Sequence, residues 1–157
     1  MTSLARIAAA AAALTLGACA STPPDLDDNM IVPGQRVGEV ELGMSLSELF
    51  NRKGPPLTTI PMPNTTSTTY AFDGLTVAAR DEVYWIIARD PRFRTEEGVG
   101  MGSEQILARG SYGKPDCVVS RGAITIYDYG DFYFEVENAT GKVGQIGVQK
   151  KTLNCED

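Results

Sequence analysis

The chain of 157 residues contains no histidine. That absence removes the commonest general base, the commonest metal ligand and the one side chain that titrates near neutral pH. Neither a Ser-His nor a Cys-His nucleophile can be assembled. Basic residues are in deficit, with 14 Lys and Arg against 20 Asp and Glu, for a net charge of −6. Such a balance argues against nucleic acid and against broad contact with anionic lipid headgroups. Beyond the N-terminus no run is apolar for long enough to span a bilayer. The run Gly98-Val99-Gly100-Met101-Gly102 lacks the Lys-Ser/Thr that a phosphate loop requires. Adjacent carboxylates, Asp27-Asp28 and Glu96-Glu97, read as solvated. A hydrolase needs only two carboxylates, but nothing in the spacing points to a pair. The expectation is a protein that is not an enzyme, with no cofactor and no metal.

The N-terminus is better supplied with signal. Arg6, Ile7 and an alanine tract to Ala13 form a charged start and a short apolar stretch, the pattern of a secretory signal peptide. It ends in Leu14-Thr15-Leu16-Gly17-Ala18-Cys19, which resembles the lipobox of bacterial lipoproteins. The resemblance implies that Cys19 is acylated and becomes the first mature residue; two or more acyl chains hold a protein stably on a membrane. Ala20, standing where an aspartate would favour the inner membrane, implies the outer membrane, with the body facing the periplasm. With Cys19 given to the lipid, Cys117 and Cys155 remain, 38 positions apart. A disulfide between them fits an oxidising compartment and would contribute roughly 3–4 kcal/mol. The other readings are two free thiols or half of a zinc site, which would need further ligands.

From Ala20 to about Val32 the chain combines Pro23-Pro24 with Asp25, Asp27 and Asp28, a composition that cannot form a core and reads as a tether. Further on, Gly43-Met44 recurs as Gly100-Met101, a spacing of 57, and Gly54-Pro55-Pro56 recurs as Gly113-Lys114-Pro115, a spacing of 59. Tyr70 and Tyr127, and Ile86 and Ile146, add two further matches. Ser45-x-x-Glu48 is a capping box, and Leu46, Leu49 and Phe50 share one helical face. Gly102 is placed at the capping position of the second helix. Strands are expected at about 69–79, 82–89, 123–128, 131–137 and 143–150. The expected fold is α+β, with two tandem helix-plus-antiparallel-meander repeats packed as one unit. The expected layout is a signal peptide at 1–18, lipidated cysteine and tether at 19–35, a first repeat at 36–95 and a second at 96–157.

The lipobox, tether, Gly-Met-Ser-x-x-Glu helix, Gly-x-Pro and meander together resemble the small outer-membrane lipoproteins of the BamE (SmpA/OmlA) type. The duplication resembles the tandem arrangement of β-lactamase inhibitory protein, whose two units form one long curved sheet. These resemblances imply a non-catalytic, lipid-anchored module that binds an envelope or outer-membrane protein and supports its complex. The alternative they imply is an inhibitor of a periplasmic or incoming enzyme of the β-lactamase, protease or lysozyme type.

Strand alternation sharpens the binding surface. Ile86 and Ala88 are assigned to the core, leaving Trp85, Ile87 and Arg89 outward. Phe132, Phe134 and Val136 read inward, with Tyr133 outward; Ile124 and Ile126 read inward, with Tyr127 outward. Trp85, Arg89, Tyr127 and Tyr133 are therefore the candidate partner-binding residues, being of types enriched at binding hot spots. The competing reading makes Trp85 a core residue, as most tryptophans are largely buried.

Overall fold

The computed structural model describes residues 29–150. Cys19 and Cys155, and with them the lipid anchor and the Cys117–Cys155 pairing, lie outside the described residues. Three short strands, β1 (Ile31–Val32), β2 (Arg36–Val37) and β3 (Val40–Glu41), form a small sheet in the order β1-β2-β3. Ile31, given to the tether by composition, is 1% exposed and its N–H donates to the Arg94 carbonyl at 2.8 Å. The folded body thus takes in residues ahead of position 36.

Helix α1 (Leu46–Lys53) begins where Ser45 and Glu48 close a capping box. The Ser45 hydroxyl accepts from the Glu48 N–H at 3.3 Å, and Glu48 Oε2 accepts from the Ser45 N–H at 3.0 Å. Two of the donors orphaned by a helix start are satisfied in this way. Gly54, at φ 71, closes the far end, and Pro55 cannot continue it. The chain then forms β4 (Thr58–Pro61), β5 (Thr68–Phe72), β6 (Leu75–Ala79) and β7 (Val83–Ala88). Helix α2 (Gln105–Tyr112) follows, then β8 (Cys117–Arg121), β9 (Ile124–Asp128), β10 (Phe132–Glu137) and β11 (Lys142–Gln149).

These eight strands make one antiparallel sheet in the order β4-β5-β6-β7-β11-β10-β9-β8. Strand accounts for 46% of the structure and helix for 13%, in two helices of eight residues each. This corrects the expected fold class. The molecule is mostly β, organised by one continuous sheet, and is not an α+β pair of helix-plus-meander repeats. The hydrophobic runs that were divided between two units bury against a single sheet, because β7 and β11 pair directly from Ile146 opposite Ala88 to Gln149 opposite Trp85.

The match of Gly43 with Gly100 also fails. Gly43 sits at φ 87 with open space where a Cβ would be, whereas a Cβ on Gly100 would lie 2.4 Å from the Phe93 carbonyl oxygen. Gly43 shares its hydrogen-bonding role with Gly102 instead: their N–H groups donate to Val83 and Val143 carbonyls, each at 2.7 Å. Glu104, not Gly102, is the N-cap of α2, and its side chain makes no capping bond. The shared Gly-Met dipeptide therefore falls in two different backbone environments.

One core lies between the helices and one face of the sheet. Leu49 of α1 and Ala108 of α2 are fully buried there, with Val77, Ile86, Phe134, Val136, Ile146 and Val148 beneath them. Phe50 meets Tyr70 edge-on at 5.3 Å, and Tyr112 meets Phe132 at 4.6 Å.

Candidate functional site

Residues directly opposite one another on paired strands share a face of the sheet. The registers therefore define one row on the helix-free face: Thr76, Ile87, Gly147, Tyr133, Asp128 and Cys117. A second row on that face pairs Ala78, Trp85 and Gln149. Arg89 reaches Gln145, its Nε–H donating to Oε1 at 2.9 Å. Trp85, Arg89 and Tyr133 accordingly come together on the face that no helix among the described residues covers.

Their exposure differs from the sequence reading. Trp85 is half-buried and Arg89 is exposed, but Tyr133 is only 4% exposed. The Tyr133 ring lies flat over Gly147, so closely that a Cβ there would fall 2.1 Å from its Cε1. A strand glycine permits this approach, and the aromatic ring covers the backbone that the glycine leaves bare. Trp85 then packs on Tyr133 at a centroid distance of 6.4 Å and donates its indole N–H to the phenol oxygen at 3.1 Å. Burial, reinforced by the nearby Glu135 charge, pushes the Tyr133 hydroxyl above its ordinary pKa, so it stays neutral across the physiological range.

Tyr127 is placed on the opposite face. It pairs with Phe134 across β9 and β10, stacks on that ring at 5.2 Å and is 8% exposed. Its hydroxyl is bonded by the Gln105 side chain, and the Arg109 guanidinium lies 5.4 Å from its ring centre, so α2 is its cover. The inward assignment of Ile124 and Ile126 is reversed with it; both are half-buried on the helix-free side. The candidate surface contracts to Trp85 and Arg89, with Tyr133 as the platform beneath.

Beside that platform Asp128 is 1% exposed. Its Oδ1 accepts from the Gly130 N–H at 2.7 Å, and Oδ2 has no partner among the described residues. It is the one buried carboxylate among them, so no buried acid pair of the glycosidase kind is present there. Nor do any three Asp, Glu or Cys side chains among the described residues converge as metal ligands would.

Sequence reasoning overlooked a second exposed region. On α2, Ile106 is 83% and Leu107 51% exposed, and on β8 Val118 is 53% exposed. Taking Gly54 and Gly113 as equivalent helix ends places Ala108 at the position of Leu49, and so turns Ile106 and Leu107 out of the core.

No known family's sequence profile matches this chain, and no curated protein matches it. Among solved structures, the chain is similar to a cysteine-rich secretory protein from Staphylococcus aureus subsp. aureus Mu50, with a TM-score of 0.53 and 15% identity. The likeness covers 76% of this chain and 47% of that one, so this chain spans about half the neighbour's length. At that identity the similarity speaks for the fold alone.

Proposed function

We propose that this protein is a non-catalytic, lipid-anchored binding module that supports an envelope protein complex at the periplasmic side of the outer membrane. The observation that carries the reading is the helix-free sheet face, where half-buried Trp85 and exposed Arg89 stand on the Tyr133 platform. Tryptophan, arginine and tyrosine are the side chains that dominate binding energy at interfaces. Their preorganisation by the Trp85–Tyr133 hydrogen bond reduces the ordering that a partner must impose. The absence of histidine and of a second buried carboxylate among the described residues favours binding over hydrolysis. Cys19 supplies the anchor in this reading, and a Cys117–Cys155 disulfide secures the end of the chain.

A photoreactive residue at position 89, in cells that retain Cys19, tests the proposal. The expected result is a specific crosslink to one envelope protein, with none from position 127 beneath α2. A crosslink to a soluble enzyme whose turnover is blocked would replace the scaffold with an inhibitor. Equal, diffuse labelling from both positions would remove the sheet face as a binding site.

A further inference from the structure

We infer that the free edge of β8 and the adjoining flank of α2 form a docking site for an extended, acidic segment of a partner protein, which adds to the sheet as a ninth strand. The inference concerns a surface apart from the Trp85 face. It starts from the β8–β9 hairpin, where Arg121 pairs with Ile124 across Gly122-Ala123, and Gly122 has φ 59. A positive φ at the first of two turn residues with none at the second, Ala123, marks a type II′ hairpin, whose closing pair exchanges both backbone bonds. Counting back by twos, Arg121, Val119 and Cys117 bond to β9, while Val118 and Ser120 turn their N–H and C=O groups away from the sheet. These groups have no backbone partner among the described residues. An unpaired edge of this kind is a template for strand addition.

The side chains around the edge specify what would bind. Val118 lies on the helix side, opposite Tyr127, and Arg109 covers that tyrosine. A groove of about 640 Å³ runs along α2 past Ile106 and Arg109 to Lys114 and Pro115, just before β8. An added strand would place an apolar residue beside Val118, facing this groove, in keeping with the period of two. Charge completes the description. Residues 105–124 hold Arg109, Lys114 and Arg121 against Asp116 alone, in a chain with a net charge of −6. None of the three cations is in a salt bridge among the described residues. A second copy of β8 would bring these cations against their own kind. Alternation sends the carboxylates of an acidic strand to the face of Arg121, which lies opposite Ile124, while Arg109 and Lys114 border the groove on the other face and add to the positive field.

The test uses isotope-labelled protein and two blocked peptides, one alternating valine with aspartate and glutamate, the other alternating valine with lysine. The acidic peptide is expected to slow amide exchange at Val118 and Ser120 by about tenfold or more, and the lysine peptide to leave it unchanged. Val118→Pro removes an outward donor without touching the β9 ladder, so it should abolish this protection while leaving the unfolding midpoint in place. Should that variant fail to fold, Lys114→Glu with Arg121→Glu must reverse the peptide preference. The inference is overturned if neither peptide protects these amides or both do so equally. It is also overturned if Val118→Pro binds as well as the parent, or if protection appears without peptide and grows with protein concentration, the sign of a second copy. Crosslinking from position 89 reads the other face, so either surface can fail alone.

Discussion

The two ends of the sheet are built from similar parts and finished differently. At the β4 end, α1 is closed by a full capping box, and its last-turn cations are paired, Arg52 with Glu41 at 2.8 Å and Lys53 with Glu39 at 2.9 Å. The edge strand itself carries Pro61 and is approached through Pro55-Pro56, which removes donors and discourages pairing with another chain. At the β8 end, α2 has no side-chain cap, holds Gly110 and Ser111 within its eight residues, and leaves Ile106 and Leu107 in solvent. Strand β8 contains no proline, and Arg109, Lys114 and Arg121 at this end are in no salt bridge among the described residues. The β4 end also exposes apolar side chains, Leu57 at 77% and Ile60 at 56%, but its helix is capped, its cations are paired and its edge carries a proline. The other leaves apolar surface, backbone donors and positive charge unsatisfied together, as a binding edge does and a merely stable one need not.

The strongest way to break this comparison is in the core. Leu49 and Ala108 are the buried residues of α1 and α2, both at 0% exposure. Leu49→Ala should lower stability by about 2–5 kcal/mol through lost burial and the cavity left behind. Ala108→Gly should lower it by only about 1 kcal/mol, chiefly through helix propensity. Urea unfolding measures both, and equal losses would mean that α2 is anchored as firmly as α1.

A smaller effect is expected where the two halves of the sheet join. Gly147→Ala forces the Tyr133 ring off β11 and should cost about 1–3 kcal/mol, as overpacking does. Trp85 is the only tryptophan, so its fluorescence reports the loss of the Tyr133 contact directly. An unchanged spectrum would show that the platform does not hold the indole.

Next come the caps. Ser45→Ala should cost about 1 kcal/mol, and Glu104→Ser, which gives α2 the hydroxyl it lacks, should add a comparable but smaller amount. The α1 cap also carries a pH signature. Hydrogen bonds from the Ser45 side chain and backbone hold the Glu48 carboxyl below its ordinary value of 4.5. A depressed carboxylate contributes stability that is complete above the unfolded pKa and is lost as pH falls through the folded one. The Ser45→Ala penalty should therefore shrink as the pH drops below about 4.5, with Glu48 titrating nearer its ordinary value in the variant by NMR.

How legible these features were in the sequence depends on whether local chemistry determined them. The entry and exit of α1 could be read because Ser45, Glu48 and Gly54 act within a few residues of one another. The inward set Phe132, Phe134 and Val136 could be read because alternation with Glu135 and Glu137 is unambiguous. Strand β9 could not. Ile124, Ile126 and Tyr127 are all apolar enough to face a core, and the choice is made by α2, which covers Tyr127 with Gln105 and Arg109. The β7–β11 pairing was not legible in the residues themselves, since it joins positions about 60 apart with no motif of their own; one long sheet entered only as what a resemblance implied. The Asp73-Gly74 turn did carry a signal, which splits the expected 69–79 strand into β5 and β6.

The least costly substitutions make the sharpest test of the comparison. Arg52 donates to the Glu39 carbonyl at 2.9 Å as well as to Glu41, so Arg52→Ala should lower stability by up to about 1 kcal/mol, less in high salt. Lys114→Ala removes a cation with no such partner and should change stability by less than about 0.5 kcal/mol at any salt concentration. Paired unfolding curves at low and high ionic strength separate the two. If Lys114→Ala proves as costly and as salt-sensitive as Arg52→Ala, the α2 end is held by its own charges and its openness to a partner is lost. If it is silent in folding, the positive charge at β8 has no intramolecular work to do, and the affinity of the edge for acidic peptide becomes the quantity that should fall instead.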